Sequence, residues 1–388
     1  MSWQNWSGSV RCPSSQIQRP ADADALAALI DEHHGTGALR ALGSGHSFVP
    51  FWADGDTLLD LSALSGLQDV RGEVACFGAG TPLHAIGPLL AEHGLALVNM
   101  GDIDRQTLAG AVATGTHGTG RGLGSLSSAV RALELVDGCG GQRRVEGNAA
   151  LDAARVALGL LGVMTAIEMQ VMPAYGLRER NLKESVEQCL EQFEARLGQH
   201  RHHEFWWVPR LDVCISKTLD SIAIPAQPRL DELPFGEEGE RWGASWQVFP
   251  SVRDLKFNEM EYAIPAAAGL DCFRAVRRCM LERFPKLFWP VEYRILAGDA
   301  GWLSPTQGGE VATVSIHQAA EEDPTELFAA VEPILRDHGG RPHWGKRHTL
   351  GRGDLEDLYP RLTDFVALRR EWDPDGRFLT GYLAELFL

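Results

Sequence analysis

Paired cysteine is the first thing this sequence lacks. Its seven cysteines, Cys12, Cys76, Cys139, Cys189, Cys214, Cys272 and Cys279, are odd in number and scattered, with no CxxC spacing. That pattern argues against a disulfide-stapled scaffold and against a clustered zinc site, and it suits a reducing compartment. Long apolar runs are missing too: no stretch approaches the roughly 18–20 apolar residues a spanning helix needs, so no membrane segment is expected. The N-terminal MSWQNWSGSVRCPSSQ has neither a basic n-region nor an apolar h-region, so a cleaved signal is not expected and a cytoplasmic location is. Positive charge is scarce: 36 Lys and Arg stand against 52 Asp and Glu, a formal net charge of -16. Nucleic acids and anionic lipids are held mainly by Lys and Arg on their phosphates, so neither is an expected partner. Internal repeats and low-complexity tracts are also absent.

What is present is ordinary globular material, 44% hydrophobic and 23% charged over 388 residues, long enough for two packed domains around an enclosed ligand. The first ~170 residues alternate short helical and strand patterns, as an α+β domain does. Leu26, Leu29 and Ile30 make a helical stripe after Pro20. Strands are expected at Leu39–Leu42, Leu58–Leu61, Val74–Phe77, Ala132–Val136 and Val163–Val171. Thr81-Pro82 looks like a helix start, with Thr as N-cap and Pro in first position, and Gly94 like a stop. The block Gly101–Gly124 is rich in Gly and Thr with little helical periodicity. Pro173 is a reasonable boundary. Beyond it Val186, Cys189, Leu190, Phe193 and Leu197 predict an amphipathic helix. His203–Val208, Phe288–Leu296 and Val311–His317 predict strands, and the acidic Asp220–Glu240 segment predicts an excursion.

Several short patterns carry chemistry. Gly43-Ser44-Gly45 after a strand is a turn whose bare N–H groups can cradle an anion, because glycine lets backbone approach a phosphate closely. It is not the dinucleotide fingerprint, since Phe48 stands where GxGxxG needs its third glycine. A second Gly/Thr-rich segment, Ala109-Gly110 and Thr114 to Gly120, could clamp the other side of a pyrophosphate. Glu292 and Arg294, and likewise Ser315 and His317, sit two apart on expected strands, so each pair shares a face. His317 could act as a general base, having an unperturbed pKa near 6.5, or could stand one layer back. His200 and His202 would share a strand face as a rival metal site, but no HExxH or H-x-E…C-x-x-C pattern supports it, a solvated strand end is the simpler reading, and no metal is expected.

The segments ALGSGHSF (Ala41–Phe48) and AGAVATGTHGTG (Ala109–Gly120) resemble the flavin-binding segments of the vanillyl-alcohol-oxidase-type (PCMH-type) FAD-linked oxidases. The likeness is nearest to the aldonolactone oxidase and alditol oxidase branch. Trp3-Gln4-Asn5-Trp6-Ser7-Gly8, Trp302-Leu303-Ser304-Pro305 and Arg341-Pro342-His343-Trp344-Gly345-Lys346 resemble the same branch. The resemblance implies an α+β, two-domain vanillyl-alcohol-oxidase-like flavoprotein: an FAD domain (1–173), a substrate domain with an antiparallel sheet flanked by helices (174–340), and a C-terminal segment (341–388) returning to the flavin. It implies FAD bonded covalently to His46. The cofactor would be held by Ala41, Leu42, Gly43, Ser44, Gly45, His46, Ser47, Gly101, Asp102, Thr107, Gly110, Ala111, Ala113, Thr114, Gly115, Val163 and Lys346.

By the same resemblance Glu292, Arg294, His317 and Lys346 are the catalytic residues, and Asp102, Glu292, Arg294, Ser315 and His317 contact substrate. Cations are needed because hydride arrival leaves negative charge on the ring, which preorganised positive groups stabilise. Alditol oxidases carry Ala-Ser where this chain has Gly101-Asp102, which favours a sugar-1,4-lactone over the alternative, a polyol such as xylitol or sorbitol. Gly101 would leave room for dioxygen, the expected acceptor; some relatives use another.

Overall fold

The computed structural model describes residues 3–12, 16–33, 37–53, 55–147, 149–233, 236–251 and 254–388. Met1, Ser2 and 13–15 of the N-terminal stretch, and Pro234 and Phe235 of the acidic excursion, lie outside the described residues.

Apolar runs bounded by glycine build the first half. The strands Gln16–Gln18, Gly55–Asp60 and Ala38–Leu42 form a parallel sheet in that order. Leu39, Leu58 and Leu59 are fully buried in it, as parallel strands covered on both faces require. A second, antiparallel sheet runs Gln142–Glu146, Val130–Val136, Val163–Pro173, Val74–Gly78, Leu67–Arg71, with Leu95–Leu97 also pairing with Val163–Pro173.

The second half is one eight-stranded sheet. Its order is Gly239–Ala244, Gly176–Ser185, Val213–Ile222, His202–Val208, Val291–Leu296, Val311–Ala319, Phe257–Pro265 and Arg341–Pro342, and every pairing is antiparallel. Because strand side chains alternate, this sheet has two chemically distinct faces. One carries Phe205, Trp207 and Tyr293, which pack against Phe193 of helix Val186–Gln199 and Phe273 of helix Ala266–Arg283. The other carries Glu204, Lys217, Glu259, Glu261, Glu292, Arg294 and His317, and it faces the first half. Past Arg341–Pro342 the chain crosses back: the N–H of Phe48 donates to Gly345 O (2.8 Å), and those of Leu39 and Gly138 donate to Arg377 O (2.7 Å) and Trp372 O (2.8 Å).

The expected α+β class and helix-flanked antiparallel sheet are therefore present, and the periodic helices at 23–31 and 186–199 stand where their stripes put them. Two local readings change. The helix after Thr81 is Leu83–Ala91, with Pro82 as N-cap and no side-chain cap, because the Thr81 hydroxyl donates instead to Gly78 O at 2.6 Å. Inside the Gly/Thr-rich block lies a helix, Leu108–Thr114; at seven residues of mostly Ala, Gly and Thr it is too short to show a stripe.

Candidate active site

The glycine turn after Ala38–Leu42 lines a cavity of about 340 Å³ between the two sheets of the first half. Of the residues expected at a cofactor, Ala41, Leu42, Gly43, Ser44, Gly45, His46, Ser47, Thr107, Gly110, Ala113, Thr114, Val163 and Lys346 all line it. Among the described residues, no acceptor meets the backbone N–H groups of Ser44, Gly45, His46 or Ser47. Unpaired amides are costly unless something occupies them, and a row of them beside a cavity is a cradle for phosphate oxygens. Two glycines of the wall leave no room for a side chain: a Cβ on Gly43 would come 2.7 Å from Thr107 Oγ1, and one on Gly80 2.0 Å from Leu61 O. Gly45 has φ +72° and lies against Trp3. The His46 ring stacks on Trp6 with centroids 5.5 Å apart. Burial, with Lys346 and Arg105 nearby, brings its pKa down to about 4, so the ring is neutral with a nitrogen lone pair available. These features fit a dinucleotide such as FAD.

Gln106, His343 and Lys346 line this cavity and also a smaller one of about 70 Å³, so the two meet there. The smaller cavity is walled by Gly101, Asp102, His117, Glu259, Glu261, Glu292, Arg294 and His317. Gly101 and Asp102, expected at the cofactor, thus stand at this second cavity. Ala111 is instead packed in the core, and Gly115 closes the Leu108–Thr114 helix with φ 78°; neither lines either of these two cavities. Ser315 shares the face of His317 but is buried beneath the cavity wall, its hydroxyl without a partner among the described residues.

Charge in this wall is matched group by group. Glu292 Oε1 accepts from Trp206 Nε1 (2.6 Å) and from Arg294. Arg294 Nε donates to Glu204 Oε2 at 3.1 Å, and its other arm lies 3.6 Å from Asp102 Oδ2. Lys217 Nζ lies 3.2 Å from Asp102 and 3.1 Å from Glu204. Burial pushes the Glu204 carboxyl up and would push Arg294 down, but Glu292, Glu204 and Asp102 hold Arg294 well above its ordinary value. On the other side Lys346 pairs with Glu259, whose Oε1 is 3.6 Å from His317 Nε2. His317 Nδ1 meets Pro290 O at 2.9 Å. As the carbonyl only accepts, Nδ1 carries a proton, and Nε2 is the nitrogen turned toward Glu259 and the cavity.

Two groups of three could suggest metal: Asp102, Glu204 and Glu292, and His117, Glu261 and His343, each with ligand atoms within 4.8 Å. In the first, all three carboxylates are already engaged by Lys217 and Arg294. In the second, His117 Nδ1 meets Gly118 O at 3.0 Å and Nε2 meets Glu261 Oε1 at 2.7 Å. Both partners accept hydrogen bonds, so both ring nitrogens of His117 are already engaged within the protein. His343 Nδ1 accepts from the Gly345 N–H (3.0 Å), leaving its proton on Nε2. The histidines at 200–203 scatter: His200 meets Asp220, His202 meets Thr119 O and His203 meets Lys217 O. Far from a solvated strand end, His202 and His203 are wholly buried.

Sequence reasoning missed Lys217, Glu204, Glu259, Glu261 and His117. A signal existed: Glu259 and Glu261 alternate with Met260 and Tyr262 in a strand that is apolar apart from Asn258, and such charges face something that needs them.

Against known proteins, the family profile described as D-arabinono-1,4-lactone oxidase matches residues 167–237 and 225–386, and one described as FAD binding domain matches 14–146. The chain is 33% identical to an L-gulono-1,4-lactone dehydrogenase of Mycobacterium tuberculosis, over 98% of this chain and 97% of that one. It is 32% identical to an alditol oxidase of a Streptomyces species, over 98% of each, and 26% identical to the L-gulonolactone oxidase of Bos taurus, over 99% and 98%. Among solved structures a cholesterol oxidase from Brevibacterium sterolicum superposes with a TM-score of 0.86 at 19% identity, covering all of this chain and 96% of the other; that likeness concerns the fold alone.

Proposed function

This chain belongs to the D-arabinono-1,4-lactone oxidase family of FAD-linked oxidoreductases, and from that premise we propose that it oxidises a CH–OH group of a sugar-1,4-lactone in the smaller cavity. The observation that carries the reading is that cavity itself: small, charged, and joined to the cofactor cavity at Gln106, His343 and Lys346. Bound FAD supplies the hydride acceptor for the carbinol carbon. Glu292 accepts a substrate hydroxyl hydrogen bond through Oε2, its Oε1 being taken by Trp206 and Arg294. His317 Nε2 takes the hydroxyl proton, since its Nδ1–H is committed to Pro290 O. Arg294 and Lys346 hold positive charge where negative charge collects. Asp102, bound to Lys217 and near Arg294, orients that arginine as well as bordering the substrate. For an aldono-1,4-lactone, oxidation at C2 gives a 2-keto lactone.

The neutral, half-buried His46 beside the cofactor cavity supports a covalent tie to FAD. The proposed division is an FAD domain at 1–173, a substrate domain at 174–340 and a returning segment at 341–388. Dioxygen is the proposed reoxidant, reaching the cofactor past Gly101, which has no side chain to fill the wall.

The alditol oxidase relative supports a second reading, oxidation of a polyol. Anaerobic bleaching of the purified yellow enzyme by gulono-, galactono- and arabinono-1,4-lactones against xylitol and sorbitol separates the two. Faster bleaching by a lactone at saturation is expected; bleaching by polyols alone would transfer the assignment to them. Reoxidation on admitting air tests the acceptor.

A further inference from the structure

Glu259 has no part in the reaction as set out above, yet it stands between two groups that do. In the antiparallel pairing of Phe257–Pro265 with Val311–Ala319 it lies directly opposite His317. Its carboxylate is buried, pairs with Lys346 and lies 3.6 Å from His317 Nε2. Its backbone is held as well, since Glu259 O accepts from the Arg347 N–H at 2.9 Å. The neighbouring carboxylates are committed elsewhere: Glu261 to His117 and Glu292 to Arg294 and Trp206. One carboxylate thus stands within reach of both Lys346 and His317.

We propose that Glu259 is a positioning residue that divides its charge between Lys346 and His317 as the reaction proceeds. The inference rests on the proposed function. A base that is to take the hydroxyl proton starts as the neutral imidazole, so before the reaction the Glu259 charge is set against Lys346. When the carbinol O–H breaks, its proton goes to His317 Nε2; when the C–H breaks, its hydride with the electron pair goes to bound FAD, leaving a carbonyl. The new imidazolium then draws on the carboxylate 3.6 Å away, and Lys346, less neutralised, turns its field on the negative charge reduction has added. Each charge created meets a counter-charge already in place, with no ion imported.

The test uses the holoenzyme. Sulfite adds to oxidised flavin, and its affinity rises with positive charge beside the ring, so it reads the Lys346–Glu259 pairing without turnover. Glu259→Gln, which keeps shape and removes charge, is expected to tighten sulfite binding about tenfold. It is also expected to slow substrate-driven reduction at saturation by about tenfold or more, with KM changed by less than about threefold. Glu259→Asp is expected to return sulfite affinity to the wild-type value and to recover part of the rate. Wild-type sulfite affinity, or a wild-type reduction rate, in Glu259→Gln would overturn the proposal. If that variant does not fold, Glu259→Ser, which leaves space for a water, takes the same measurements with the same criteria. Should no lactone or polyol reduce the wild-type enzyme, the functional reading fails by itself, and the sulfite arm still decides the pairing.

Discussion

At the scale of single residues, what organises this protein is the cost of buried charge. Asp102, Glu204, Lys217, Glu292 and Arg294 are each less than a tenth exposed, and each persists only because a partner of opposite sign stands within reach. Asp102 shows what sequence could and could not deliver. Its position after Gly101 marked it as a site residue, but Lys217, far along the chain in the strand Val213–Ile222, was invisible as its partner. His46 was legible because GSGHS is a local pattern with a local geometry. Replacing His46 with Ala should leave a folded protein whose flavin is released by acid precipitation, whereas wild-type flavin stays with the pellet. Flavin that remains in the His46→Ala pellet would show the tie to lie elsewhere.

Among elements, the helix Val186–Gln199 was readable from its stripe and is closed at its start by Ser185, which caps the Gln188 N–H at 3.2 Å. Its role was not readable. Phe193 meets Phe205 and Tyr293 at 5.5 and 5.1 Å, and those two rings stack at 4.9 Å across strands. Tyr293 lies between Glu292 and Arg294, so the helix braces the strand that carries the site. Phe193→Ala should cost about 3–5 kcal/mol and loosen that strand, measured as a fall in urea midpoint together with a drop in kcat. A large loss of stability with kcat unchanged would separate the helix from the site. The strands Gly176–Ser185 and Phe257–Pro265 and the helix Ala266–Arg283 escaped the sequence reading because charges interrupt their apolar patterns: Glu179 and Glu184 pair with Arg241 and Arg196, Arg277 with Asp212, and Glu261 with His117 of the other half.

For the whole molecule, two halves close on a shared layer of polar groups, and that layer makes stability depend on pH. Burial brings His202 and His343 down to about 3 and His203 to about 4, against about 6.5 in an unfolded chain. Between those values the unfolded chain binds protons that the folded one refuses, so stability is full above pH ~6.5 and falls as pH drops toward 4. The slope is at most about 1.4 kcal/mol per pH unit for each such ring. Calorimetry from pH 8 to 5 should show Tm falling below pH ~6.5, before most carboxylates titrate; a flat Tm over that range would contradict the buried neutral rings. The amino-acid sequence by itself determined the composition class, the glycine turn with its histidine, the periodic helices and the face shared by Glu292 and Arg294, because each is set by neighbours a few residues apart. Only the tertiary structure decided that Lys217 answers Asp102, that Glu259 stands between Lys346 and His317, and that a cofactor cavity opens into a charged one. Those depend on contacts across sheets between residues remote in the chain, and Coulomb forces act through space, not along the backbone.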